Sequence, residues 1–235
     1  MNEITGIVFD KDGTLYDFQK TWGAVCAQQI EVEAAGDLGL KKRLAEVLGY
    51  DLKTDLLTPD SICVSEPTGF IAQKVAHVLP NSDVEALILR MDAMASTAPQ
   101  VEVLPLRQFI AQLKKRGLRL GVATNDSEAP ARAHLRSSQI ETYFEFIAGY
   151  DSGFGGKPAP GQLNAFLAQT GLVAGQVAMI GDSLHDLHAG RAAGMVTVGV
   201  LTGLASRDDL RGAADIVLDD ISELPHWLDN RTAAV

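Results

Sequence analysis

Short, continuously apolar runs that stop abruptly at polar or glycine residues constrain this chain more than any other feature. The run at 4–9 ends in Asp10. The run at 118–123 ends in Thr124-Asn125-Asp126, that at 144–148 in Gly149-Tyr150-Asp151, and that at 177–180 in Gly181-Asp182; two more occupy 196–200 and 216–218. Strands apolar at every position are buried on both faces, as in parallel sheets. Helical periodicity fills the gaps. Residues 105–116 carry Leu106, Phe109, Ile110 and Leu113 at helical spacing, with Lys114-Lys115-Arg116 in the last turn and Gly117 as a stop. Residues 160–169 repeat the pattern with Leu163, Phe166 and Leu167 before Gly171. Residues 183–193 do so between an N-cap at Ser183 and a stop at Gly194. Strand and helix alternating in this way predict an α/β fold, a Rossmann-like parallel sheet with helices on both faces.

Residues 18–98 break the alternation. Helices are predicted at 19–35, 40–48, 69–79 and 82–95, with a loop at 51–67 where Thr, Pro, Asp and Ser gather. The expected organisation is a core domain of residues 1–17 and 99–235, with an all-helical cap domain, 18–98, inserted after the first strand. At 46% hydrophobic and 21% charged, the chain has ample material for a packed core. Its net charge of −10 argues against nucleic acid or an anionic membrane as partner. No apolar run approaches membrane-spanning length, the first residues lack the basic stretch of a secretory signal, and two cysteines, Cys26 and Cys63, read as reduced thiols. Together these predict a cytoplasmic protein, and the sequence leaves monomer and homodimer both open.

The aspartates indicate chemistry. Asp10 and Asp12 close the first strand; Asp182 closes a later one, with Asp186 four residues on. Parallel strands place their C-terminal ends on one edge, where ligands bind. One such aspartate is more often a turn former, but four at two strand ends call for a hard divalent cation with oxygen ligands. Gly13-Thr14, Thr124-Asn125 and Lys157, in Gly155-Gly156-Lys157-Pro158, reach the same edge. Hydroxyl, amide, backbone N–H and ammonium together suit a phosphate-sized anion. Four carboxylates, one divalent cation and one lysine leave a single negative charge, and protonating one carboxylate makes the site neutral and ready for an anion.

Asp10-Lys11-Asp12-Gly13-Thr14-Leu15-Tyr16-Asp17 resembles the first motif of the haloacid-dehalogenase-like (HAD) hydrolases. Thr124-Asn125 resembles the second motif, Gly156-Lys157-Pro158 the third, and Gly181-Asp182-Ser183-Leu184-His185-Asp186 the fourth; Gly190 to Met195 is similar to the helix that follows. The four occur in the family's order, and the insertion sits where its helical cap sits. The resemblance is to the phosphoglycolate-phosphatase-like branch, with two departures: Asp126 stands where a lysine is frequent, and Val103-Leu104-Pro105-Leu106 replaces a Pro-Gly turn.

The resemblance implies a Mg²⁺-dependent phosphatase acting on a small phosphorylated metabolite through an aspartyl-phosphate. Asp10 matches the nucleophile and Asp12 the general acid and base. Mg²⁺ falls to Asp10, the backbone carbonyl of Asp12 and Asp182, with Asp186 binding directly, through water, or by orienting another ligand. Gly13, Thr14, Thr124, Asn125 and Lys157 match the phosphate-binding groups. The presence of Asp12 favours phosphatase or phosphotransferase over dehalogenase. Phosphosugar mutases and nucleotide or pyrophosphate hydrolases share these motifs, and a non-catalytic phosphate-binding regulator is the remaining alternative. A phospho-receiver domain would be about half as long, with adjacent acids after its first strand. The histidines read mainly as surface or partly buried residues, Trp22 as cap core more than substrate contact, and Asp17 as a hinge or N-cap residue.

Overall fold

The computed structural model describes residues 3–58, 60–80 and 82–232. Strand β1 (Gly6–Phe9) is buried at every position and leads directly into the inserted helical block. That block comprises α1 (Phe18–Ala34), α2 (Leu38–Leu48), the hairpin β2 (Tyr50–Asp51) and β3 (Leu56–Leu57), α3 (Ile62–Ser65), α4 (Thr68–Val78) and α5 (Val84–Ser96). Asp17, Asp37 and Asp83 cap α1, α2 and α5 by accepting first-turn N–H groups. The segment expected as a loop, 51–67, instead holds the hairpin and α3. Tyr50 and Leu57 pair across the hairpin and bury themselves among the helices. Asp51 accepts the Lys53 N–H at 2.8 Å, forming the turn, and Ser61 caps α3. The turn residues that suggested a loop are the turns between these short elements.

The remaining chain runs α6 (Leu106–Lys115), β4 (Arg119–Ala123), α7 (Glu128–Ser137), β5 (Phe146–Ala148), α8 (Gly161–Thr170), β6 (Val177–Gly181), α9 (Leu184–Ala192), β7 (Val196–Val200), α10 (Arg207–Leu210), β8 (Ile216–Leu218) and α11 (Leu224–Thr232). Helix α7 has no counterpart in the sequence reading. Its polar composition and Pro130 hide it, but proline in a first turn removes only a donor that has no intrahelical partner.

The central sheet is parallel throughout, in the order β5-β4-β1-β6-β7-β8. Successive β1 side chains explain the unbroken apolar run: Ile7 and Phe9 join a cluster with α6 and α11, whereas Val8 joins the opposite cluster with α8 and α9. The inserted helices form an apolar cluster of their own around Leu44, Leu48, Val75 and Leu87. The two chain crossings run side by side, with the Asp17 N–H donating to Val101 and the Val103 N–H to Leu15. No described helix is long and apolar enough to cross a membrane.

Candidate active site

Strand order reverses beside β1, so the loops after β1 and β6 diverge and leave a crevice at their carboxyl ends. Asp10 stands there, its N–H bonded to Ile180 of β6 at 2.8 Å. Asp182 follows β6, and Asp186 lies in the first turn of α9. Carboxylate oxygens of Asp10, Asp182 and Asp186 lie within 4.8 Å of one another, all buried. Gly13 turns the chain at φ +78°, and a Cβ there would come within 2.4 Å of Asp182 Oδ2, so only glycine allows this approach.

Lys157 reaches the trio from the loop before α8. Its Nζ lies 2.6 Å from Asp10 Oδ1 and 2.5 Å from Asp186 Oδ1. Asn125 fixes that loop: its Oδ1 accepts the Lys157 N–H at 2.8 Å, and its Nδ2 donates to the Lys157 carbonyl at 3.0 Å. Thr124, at the end of β4, accepts the Asp126 N–H on Oγ1 at 3.1 Å. The other Asp186 oxygen forms a capping box with Ser183, whose N–H and hydroxyl both donate to it.

Three carboxylates and one ammonium leave two negative charges in a buried pocket. An all-oxygen donor set with that deficit fits one hard divalent cation. Burial pushes Asp10 up to about 7, Lys157 pulls against it, and the negative charges of Asp186 and Asp12 add to the rise. Asp182 is raised well above the usual range by burial and then by Asp186 and Asp10.

Asp12 does not join the trio. Its carboxylate lies against Lys11 Nζ at 2.6 Å. Lys11, which sequence reasoning passed over, is fully buried and also lies 3.3 Å from Asp126 Oδ2, 3.1 Å from His134 Nδ1 and 5.3 Å from the Trp22 ring centre. His134, expected near the surface, is 1% exposed. Its Nε2 lies 2.6 Å from the Ala95 carbonyl, which can only accept; Nε2 therefore carries the proton, and Nδ1 accepts from Lys11. Burial, then Lys11, pushes His134 down to about 4. The available signal was a charge swap: Asp126 departs from the family pattern, and an unexplained lysine sits between Asp10 and Asp12.

The cleft over these residues has a volume of about 80 Å³; from the sheet side Asp10, Asp12, Thr124, Asn125, Lys157, Asp182 and Asp186 line it, together with Asp126, Ser183 and His185. Gly13 and Thr14 do not line it; Thr14 is fully buried, with its hydroxyl unpaired. Trp22 lines the cleft from above, while Tyr16 is buried and its hydroxyl donates to Ser138 or the His134 carbonyl. Cys26 and Cys63 are free thiols with sulfurs 3.5 Å apart.

The family model for haloacid dehalogenase-like hydrolases matches residues 4–194. The chain belongs to this family. Among relatives of this haloacid dehalogenase-like hydrolase, a phosphoglycolate phosphatase of Neisseria meningitidis is 37% identical over 235 residues, covering 97% of this chain and 90% of its own length. "Probable phosphatase IndB" of Dickeya dadantii is 34% identical over 228 residues, covering 93% and 90%. Among solved structures, CbbY from Rhodobacter sphaeroides in complex with phosphate has a TM-score of 0.71 at 20% identity, covering 94% of this chain and 96% of that one. At that identity the likeness establishes the shared fold.

Proposed function

We propose that this haloacid dehalogenase-like hydrolase is a Mg²⁺-dependent phosphatase that releases phosphate from a small phosphorylated metabolite through an aspartyl-phosphate on Asp10. One observation carries the reading: Asp10, at the carboxyl end of β1, sits 2.6 Å from Lys157 and within 4.8 Å of Asp182 and Asp186 at the floor of the cleft. Asp10, Asp182, Asp186 and the Asp12 carbonyl would hold Mg²⁺. When bound, Mg²⁺ offsets the clustered negative charge that would otherwise repel a phosphate dianion.

Lys157 works against the rise that burial imposes on Asp10 and aims its carboxylate, and the ionised form is the one a carboxylate nucleophile needs. An Asp10 oxygen bonds to phosphorus as the bond from phosphorus to the leaving alcohol breaks, and Asp12 delivers a proton to the departing oxygen. Asp12 then takes a proton from water, the water oxygen bonds to phosphorus, and the Asp10–phosphorus bond breaks, releasing phosphate. Lys11, with Asp126 beside it, holds the Asp12 carboxylate in place for both transfers. Thr124 and Lys157 bind the phosphoryl oxygens, and Asn125 supports them by fixing the Lys157 backbone.

Phosphate release from p-nitrophenyl phosphate tests this reading. Turnover should need Mg²⁺, stop with EDTA and return on adding excess Mg²⁺, and mass spectrometry of quenched reactions should place the phosphoryl group on Asp10. Metal-independent turnover, or an adduct on another residue, overturns it. The relatives' names make phosphoglycolate a candidate substrate, so 2-phosphoglycolate belongs in the panel.

A further inference from the structure

We infer that the leaving group is a neutral, hydroxyl-bearing and partly apolar alcohol, read by Gln29 and Trp22, and not a second anionic group. This rests on the phosphatase reading and narrows its substrate class. Helix α1 turns one face to the cleft: Phe18, Trp22, Val25 and Gln29 follow one another at spacings of four, three and four residues. Ile71 from α4 and Met91 from α5 complete an apolar ceiling.

Its charged members are both acidic, Glu66 and Asp92. Among the described residues lining the cleft, the cap contributes no lysine, arginine or histidine. Lys157 is held between Asp10 and Asp186, Lys11 lies outside the lining, paired with Asp12 and Asp126, and His185, the histidine among the described lining residues, belongs to the sheet side. A carboxylate or second phosphate on the leaving group would therefore lose water, face Glu66 and Asp92, and find no cation on this side.

The positive signal is a pair of unused donors. Gln29 is only 4% exposed, and its Nε2 is buried without a hydrogen-bond partner; Trp22 Nε1 is in the same condition. Both residues line the cleft. A buried donor is costly unless something accepts from it, and a site with such donors rejects ligands lacking the acceptor. Hydroxyl, ether and carbonyl oxygens are the acceptors that bring no charge, and the Glu66 and Asp92 carboxylates can accept from the same hydroxyls.

Steady-state kinetics of the full chain with Mg²⁺ tests this on matched probes: 2-phosphoglycolate, 2-hydroxyethyl phosphate and benzyl phosphate. The first two are close in size and differ in a carboxylate against a hydroxymethyl group. The kcat/KM for 2-hydroxyethyl phosphate should exceed that for 2-phosphoglycolate by about tenfold or more. Gln29→Leu should raise KM for 2-hydroxyethyl phosphate by about tenfold with kcat little changed, and should alter benzyl phosphate far less. Met91→Lys, which puts a cation on the ceiling, should shift the ratio toward 2-phosphoglycolate. Preference of the unaltered protein for 2-phosphoglycolate overturns the inference and needs no variant. If that preference is abolished by Asp10→Asn, only the leaving-group inference falls. If turnover survives Asp10→Asn, or no probe is hydrolysed, the phosphatase reading falls and takes this inference with it.

Discussion

The two walls of the cleft are built on opposite principles. The sheet wall is charged and cross-linked: Asp10, Asp182 and Asp186 converge on one point, Lys157 bridges two of them, and capping and amide hydrogen bonds fix Asp186 and the Lys157 loop. The helical wall is apolar, carries no cation among its described lining residues, and keeps two buried donors without partners. A wall whose groups already bind one another is prepared for a fixed reaction, because little must reorganise as charge develops. A wall with unmet donors is prepared for a ligand that can accept from them. The rigid sheet holds the first, and an insertion with its own apolar cluster holds the second.

The largest effect that can break this contrast is Asp10→Asn. It should lower kcat by about 10³-fold or more, by analogy with loss of other nucleophiles, whereas no ceiling substitution should approach that. Near-full activity in a steady-state assay would remove the sheet wall from the chemistry. Leu44→Ala comes next, at a residue 1% exposed in the cap cluster. It should cost about 2–4 kcal/mol of cap stability. Denaturant titration can localise the loss, because the two tryptophans, Trp22 and Trp227, report cap and core separately. A change below about 0.5 kcal/mol would mean the cap cluster is not packed as described.

His134→Gln probes the seam between the walls. His134 is held down to about 4 from its ordinary 6.5, so the unfolded chain binds the extra proton first as pH falls. The stability associated with neutral His134 is full above pH 6.5 and is lost as pH falls toward 4, by up to roughly 3 kcal/mol. With Mg²⁺ saturating, thermal melts of His134→Gln across that window should show a correspondingly shallower decline; parallel curves would contradict it. Arg90→Ala should do least. Arg90 bonds Glu33 through two nitrogens at 2.9 and 3.0 Å on the outer side of the cap, but it is 46% exposed on its side chain. Such a pair contributes about 1 kcal/mol or less, and a larger loss in the melt would show that it locks α1 to α5.

Much of this is legible in the sequence. The strand ends could be read because each sheet strand is dominated by apolar residues and then stops at polar or glycine residues. The convergence of Asp10, Asp182 and Lys157 followed because parallel strands share one carboxyl edge. Helix α7 was missed because its buried face is Pro130, Ala131, His134 and Leu135, which carries little apolar signal. The β2–β3 hairpin was missed because two-residue strands have no detectable period. Lys11 was missed because a lysine in a motif gives no sign of being buried until its partners arrive: Asp126 and His134 lie more than a hundred residues away.

The sequence by itself determined the layered α/β architecture and the acids at the strand ends, since these rest on local patterns of apolar and polar residues. Only the tertiary structure decided that Asn125 fixes Lys157, that Lys11 holds Asp12, and that Gln29 and Trp22 line the cleft while their side-chain N–H donors stay buried without partners. Hydrogen-bond satisfaction is a property of neighbours in space, and neighbours distant in the chain are set by packing, not by spacing.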